Sequence, residues 1–256
     1  MSDILNELDD HVLLITLNRV KKHNAFDDGL LQQLQQLLDQ ASTNPDVHVV
    51  LLKANGRNFS AGADLAWMQR MAEFSEEENF EDAKILARVM HTLYHLKKPT
   101  IAMVQGAAIG GGAGLVAACD VSIAAQSATF CFSEVKLGLI PAVISPYVIK
   151  AIGERVASGL FMSAETFNAK RALELNLIQH TVPDDELLLY TRQYAQQMAA
   201  LPISAVSAAK SLVRQVAHLP IDEKSQHLTA SLIAKQRVSP EAQKGLKSFL
   251  NKASRT

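Results

Sequence analysis

Cysteine is scarce in this 256-residue chain: Cys119 and Cys131 are the two it has, and they form no C-x-x-C pair. Both lie in apolar stretches, which argues against a disulfide framework and predicts buried free thiols in a reducing compartment. Charge of one sign is lacking as well, since 25 Lys and Arg against 26 Asp and Glu leave a net charge of −1. That balance gives no general attraction to nucleic acid or to an anionic membrane, so neither is expected as a partner. The opening MSDILNELDDHVLLITL is acidic and has neither the basic region nor the cleavage pattern of a secretory leader, so a cytoplasmic protein is expected. The glycines fit neither G-x-G-x-x-G nor G-x-x-x-x-G-K-[ST], and no G-x-S-x-G occurs. His91 and His95 have the i, i+4 spacing of metal ligands, but no H-E-x-x-H pattern completes them, and no metal is expected. No internal repeat, low-complexity segment or linker is visible. The uncharged run Pro99 to Cys119 is as long as a membrane span, but its glycines, Gln105 and the lack of a second such run point to a buried strand–turn–helix instead.

What is present centres on that run. Gly110, Gly111, Gly112 and Gly114 fall within five positions, after the β-type run Thr100 to Val104 and before an apolar segment, Leu115 to Cys119, that reads as a short helix. Such a cluster serves either a ligand-facing turn or the close packing of two backbones. At a helix N-terminus the free N–H groups make an anion or oxyanion site. A second glycine-bearing turn, Ala61-Gly62-Ala63-Asp64, follows the strand-like run Asp46 to Lys53. If the two turns converge, two N–H groups can hold one carbonyl oxygen as charge develops on it. Glu134 lies in Phe-Cys-Phe-Ser-Glu-Val, where burial would raise its pKa toward the range useful for proton transfer; a solvated or capping carboxylate is the other reading.

The remaining pattern is α/β. Strands are expected at His11 to Leu17, Asp46 to Lys53, Thr100 to Val104, Asp120 to Ala124 and Ile178 to Val182, with parallel pairing because the second is apolar on both faces. Helices are expected at Asp28 to Ala41, Leu65 to Met71, from a Ser75/Glu78 capping box to about Leu96, and at Tyr147 to Ile152, Arg155 to Phe161 and Glu165 to Leu175. Three more follow Pro202, Pro220 and Ser239-Pro240. We divide the chain into a core, 1–185, and a helical region, 186–256.

The segments FSAGADL (59–65), IGGGAGLVAACD (109–120) and FCFSEVKLGLIP (130–141), with Asn18-Arg19 and Asn24-Ala25 before them, resemble the crotonase, or enoyl-CoA hydratase/isomerase, superfamily. The resemblance implies a crotonase-like spiral of β-β-α turns and a C-terminal helical trimerisation region, in trimers or dimers of trimers. It implies an acyl-CoA substrate and no separate cofactor. The thioester oxygen would be held by the N–H groups of Ala63 and Gly111, with Glu134 moving a proton at the α carbon. Lys22, His23, Ala25, Ala61, Gly62, Asp64 and Leu65 match the CoA-binding surface, and Phe249 and Lys252 match residues that reach a neighbouring subunit's CoA. One position departs: hydratases of the family generally carry a second glutamate where this chain has Gly114. Either Glu134 works alone, another group helps it, or the reaction is isomerisation between Δ3 and Δ2 enoyl-CoA; a general enoyl-CoA hydratase and a CoA-ester-binding protein without catalysis are further alternatives. Residues 142–155, AVISPYVIKAIGER, are similar to a bacterial methylglutaconyl-CoA hydratase subgroup of leucine and isovalerate breakdown, within which Ser145, Tyr147 and Lys150 are candidate donors to a distal carboxylate.

Overall fold

The apolar run Val12–Leu17 is buried along its whole length, and the sheet grows outward from it in both directions. The computed structural model describes residues 2–253, with side chains described through Asn251. In chain order the first half comprises β1 (Ile4–Asp9), β2 (Val12–Leu17), α1 (Asp28–Thr43), β3 (Val49–Ala54), α2 (Leu65–Met71), α3 (Glu76–His95), β4 (Thr100–Val104), β5 (Ala107–Ile109) and α4 (Gly111–Ala118). Then come β6 (Val121–Ala125), β7 (Thr129–Cys131), a 3₁₀ turn at Glu134–Leu137, α5 (Ser145–Ile152), α6 (Glu154–Ser163), β8 (Phe167–Asn168), α7 (Ala169–Glu174), β9 (His180–Val182) and α8 (Leu187–Ala199). The chain closes with α9 (Ile203–Val216), α10 (Glu223–Arg237) and α11 (Pro240–Ala253).

Six strands form one sheet in the order β1-β2-β3-β4-β6-β9; β1 is antiparallel to β2 and the other neighbours run parallel, as the apolar character of β3 predicts. A second, three-stranded sheet, β5-β7-β8, stands apart from it. The chain alternates between them: β4 then β5 then α4, and next β6 then β7 then the helices after it, so strand, strand, helix is the repeating unit. An earlier turn has the same form in reduced measure, β3 leading to a bridge between Ser60 and Ala108 and then to α2 and α3.

Each helix is built as its residues require. Asp27 caps α1 by accepting from the Leu30 N–H at 3.0 Å, and Leu30, Leu31, Leu34 and Leu38 are fully buried, each contributing about 1.5–3 kcal/mol. The Ser75/Glu78 capping box forms as expected, and α3 runs to His95. Four expectations are corrected. β1 was not foreseen, because an edge strand with a mostly exposed ILNELD sequence has no apolar alternation to show. The helix expected from Leu115 begins at Gly111, since close packing offsets the glycines' poor helix propensity there. The strand expected from Asp46 starts at Val49, because the Asn44 side chain accepts from the Asp46 N–H and makes a turn. The helix expected over Glu165 to Leu175 splits into β8 and α7, Asn168 capping α7 through the Arg171 N–H at 2.9 Å. Neither Cys119 nor Cys131 is in a disulfide, and of the two expected to be buried only Cys131 is, Cys119 being half-buried.

The chain forms two compact units, residues 1–196 and 197–256. Within the second, α9 and α10 bury no residue, and Val213, Ile221, Ile233 and Val238 are exposed. Among the described residues no helix is long and apolar enough to cross a membrane.

Candidate active site

The first glycine turn follows β3 and the second follows β5, and backbone bonds between Ser60 and β5 join them. The Ser60 N–H donates to the Ala107 carbonyl at 3.0 Å, and the Ile109 N–H returns to the Ser60 carbonyl at 2.9 Å. Phe26 makes the other seam: its N–H donates to the Gly62 carbonyl and its carbonyl accepts from the Asp64 N–H, both at 2.9 Å. In such a parallel bridge the residue between the two bonds, Ala63, turns its own N–H away from Phe26, and no acceptor among the described residues takes it. Gly111 opens α4, so its N–H has no intrahelical acceptor.

Space, more than sequence, shows why glycine is needed here. Gly62 (φ 89°) and Gly110 (φ 52°) adopt backbone conformations that other residues rarely reach. A Cβ on Gly111 would lie 2.4 Å from Phe26 Cζ, and one on Gly112 would lie 2.8 Å from Ser60 Cβ. Phe26 therefore touches both turns, bridging Ala63 and packing on Gly111. Of the two readings of the cluster, ligand-facing turn and close packing, the packing is present, and it leaves the Ala63 and Gly111 donors free.

Glu134 starts the 3₁₀ turn after β7, and the Gly110 N–H, donating to the Cys131 carbonyl at 2.8 Å, ties that segment to α4. The carboxyl lies over Gly110: a Cβ there would be 3.1 Å from Glu134 Oε1. Glu134 Oε2 is buried with no hydrogen-bond partner among the described residues. Burial raises its pKa, opposed in part by a hydrogen bond from its own backbone N–H. A solvated or capping role does not fit this placement.

Gly114 has no room for a side chain, because a Cβ would come within 2.2 Å of Ile144 Cγ2, 2.8 Å of Ile144 Cβ and 3.1 Å of Met90 Cε. Of the three candidate donors nearby, Ser145 Oγ is engaged with the Ala142 carbonyl at 2.8 Å and Lys150 is exposed. Tyr147 is half-buried edge-on to Tyr94, with ring centroids 5.4 Å apart, and burial raises its hydroxyl pKa, Tyr94 adding to the effect.

The residues matched to a CoA surface gather beside Ala63, but two of them hold each other. Lys22 Nζ is 2.7 Å from Asp64 Oδ2, and Arg19 reaches Asp64 at 3.4 Å, Asp27 at 2.9 Å and the Ala25 carbonyl at 3.0 Å. Asp64 also caps α2, accepting from the Ala66 and Trp67 N–H groups. The Lys22 hydrogen bond, with those backbone bonds, holds its carboxyl below the usual range against the opposing effect of burial. His23 is exposed in a left-handed conformation (φ 51°), its carbonyl accepting from the Ala61 N–H, while Ala25 is buried and Leu65 is 77% exposed. Phe249 is exposed on α11, in the second unit, and the side chain of Lys252 lies outside the described residues. His91 and His95 stack on one another at 4.1 Å, and no group of three or more potential metal ligands occurs among the described residues. Phe26 and Ile144 are the site residues that sequence reasoning missed; the one available signal for Phe26 was its place directly after Asn24-Ala25.

A family model described as enoyl-CoA hydratase/isomerase matches residues 7–255. The 2,3-dehydroadipyl-CoA hydratase of Escherichia coli is 35% identical over 216 residues, 84% of this chain and 83% of its own. A crystal structure of an enoyl-CoA hydratase/isomerase (crotonase) protein from Legionella pneumophila is 60% identical, with a TM-score of 0.96 over 98% of this chain and 97% of that one. An enoyl-CoA hydratase structure from Shewanella pealeana is 42% identical, with a TM-score of 0.94 over 98% and 94%. The mixed α/β spiral with its C-terminal helices is thus the crotonase fold, and the chain belongs to the enoyl-CoA hydratase/isomerase family.

Proposed function

We propose that this protein reversibly hydrates a 2-enoyl-CoA, with 3-methylglutaconyl-CoA as its substrate. The observation that carries the reading is the half-buried Glu134, one carboxyl oxygen buried and unpartnered, lying over Gly110 where the helix whose first N–H is free begins. In the proposed reaction the Ala63 and Gly111 N–H groups donate to the thioester oxygen. The Glu134 carboxylate takes a proton from water as the hydroxyl adds at the β carbon, leaving an enolate. The same carboxyl then gives that proton to the α carbon and is restored. One group suffices, and the raised pKa of Glu134 suits both steps.

The substrate assignment is supported by the segment 142–155 and by Tyr147, a half-buried hydroxyl one turn beyond Ile144. It is also supported by the Escherichia coli relative, since a dehydroadipyl group, like a methylglutaconyl group, ends in a second carboxyl. Lys22, His23 and Leu65, with the turn between Ala61 and Asp64, form the proposed CoA surface, Phe249 and Lys252 serving a neighbouring subunit's CoA. The exposed apolar residues of α9 and α10 support a trimer or a dimer of trimers, whose mass light scattering would read.

Isomerisation between Δ3 and Δ2 enoyl-CoA is the second reading, favoured by the occupation of the space at Gly114, because a single carboxyl is enough to shuttle one proton. Incubation with 3-methylglutaconyl-CoA and crotonyl-CoA in ¹⁸O-labelled water separates the two. Label in a hydrated methylglutaconyl product supports the proposal; conversion of an added Δ3-enoyl-CoA to its conjugated isomer without label supports isomerisation. Glu134→Gln should lower turnover by about 10²–10⁴-fold while leaving CoA-ester binding nearly intact. Unchanged turnover would remove Glu134 from the mechanism.

A further inference from the structure

Gly110 and Gly114 stand one helical turn apart at the start of α4, and what lies over each differs in kind. Over Gly110 is the Glu134 carboxyl; over Gly114 are the branched carbons of Ile144, backed by the Met90 methyl. The Gly114 N–H donates to the Gly110 carbonyl at 3.0 Å, so the carboxyl and the isoleucine cover two backbone positions joined at the start of one helix. Ile144 is 2% exposed, and its carbonyl accepts from the Tyr147 and Val148 N–H groups at 3.1 Å as α5 begins. Its backbone is thereby fixed, and a β-branched side chain has few rotamers through which to give way. Met90 Cε is the far end of a flexible chain and could move; Ile144 Cβ and Cγ2 could not without shifting α5.

We infer that Ile144 makes this a one-carboxyl site, its side chain standing where any side chain at position 114 would go and forming the apolar wall on the turn next to Glu134. The inference rests on the reading of Glu134 as the proton-transfer group. On this account glycine at 114 is a packing requirement set by the loop before α5, not a catalytic group that has been lost. A glutamate there could be accommodated only after Ile144 had been made smaller. Ile144 acts through Glu134 as a positioning residue: it keeps one side of the carboxyl dry. Charged groups do not contribute from the packed elements. α4 has none, Lys136 on the same 3₁₀ turn directs its ammonium toward Cys131 Sγ at 3.9 Å, and Lys84, Arg88 and His91 of α3, Lys150 of α5 and Glu154 and Arg155 of α6 are exposed, while Tyr147 of α5 packs on Tyr94.

A double-mutant cycle on the full chain tests this. Gly114→Ala should lower the melting temperature by about 5 °C in the native background, through overpacking, and by nothing, or raise it, in an Ile144→Ala background. An equal loss in both backgrounds would overturn the packing claim. The positioning claim is read from the pH dependence of kcat. Ile144→Ala admits water, so the acidic limb should move down by about half a unit or more, with KM for the CoA ester within about two-fold. Ile144→Val keeps Cβ and Cγ2 and should leave the limb in place. An unmoved limb in Ile144→Ala would overturn it. If that variant does not fold, Ile144→Thr keeps the branch, adds a hydroxyl to the wall and takes over the pH measurement. Full activity in Glu134→Gln would overturn the reading of Glu134 alone, leaving the melting-temperature cycle to stand or fall by itself.

Discussion

Two glycine-bearing turns, one after β3 of the large sheet and one after β5 of the small sheet, are held by opposite means. The turn at Ala61–Asp64 is held by polar groups: Asp64 caps α2 and pairs with Lys22 and Arg19, and Ser60 Oγ donates to the Asn24 carbonyl at 2.9 Å while accepting from the Gly62 N–H. The turn at Gly110–Gly114 contains no polar side chain, and contact distances fix it instead, Gly111 on Phe26, Gly112 on Ser60 and Gly114 on Ile144. One turn therefore fails when a charge is taken away, the other when a methyl is added. Each leaves one backbone N–H free, so in the proposed mechanism either kind of damage reaches the same chemistry.

The largest effect should come from adding the methyl. Gly111→Ala puts a Cβ 2.4 Å from Phe26 Cζ, and Phe26 cannot yield without disturbing its two bonds around Ala63. Turnover should fall by about 10²–10³-fold, the loss typical of an oxyanion donor, in steady-state kinetics with folding checked by circular dichroism. Removing charge comes next. Asp64→Ala takes away a cap and leaves Arg19, itself nearly buried, short of a partner, at a cost of about 3 kcal/mol in urea unfolding. Because the folded Asp64 carboxyl is held below its unfolded pKa of about 3.9, the stability it contributes is present above that pH and lost as pH falls through the lower folded value. Asp64→Asn should flatten that part of the stability–pH curve. The smallest effect belongs to Lys22→Ala, whose side chain is half exposed; it should cost less than about 1 kcal/mol. A larger loss from Lys22 than from Asp64 would reverse the ranking of burial over charge.

Much of the fold could be read from the chain alone wherever an element carries its own signal. β4 and α2 have the bounds their apolar patterns give, and the capping box at Ser75 and Glu78 starts α3. β5, β7 and β8 have three, three and two residues, too few for any period, and they are strands only because the others are there to pair with. The site divides in the same way. Glu134 announces itself through Phe130, Cys131 and Phe132 beside it, since its surroundings are largely local. Phe26 and Ile144 do not, because a contact with Gly111 or Gly114 leaves no trace in the residues near either partner. The glycine at 114 is visible in the sequence; the isoleucine packed on it is visible only in space.

The parallel order of the large sheet has a bearing on time. Phe26, Ala63, Gly111 and Glu134 reach one another only after β2, β3, β4 and β6 have paired, and each of those pairings closes a long excursion of chain through one or more helices. Pairing of that kind is slow, and nothing short in the sequence prefigures it. The site thus has no local precursor that could work while the rest is being assembled, and turnover recovered during refolding counts finished molecules.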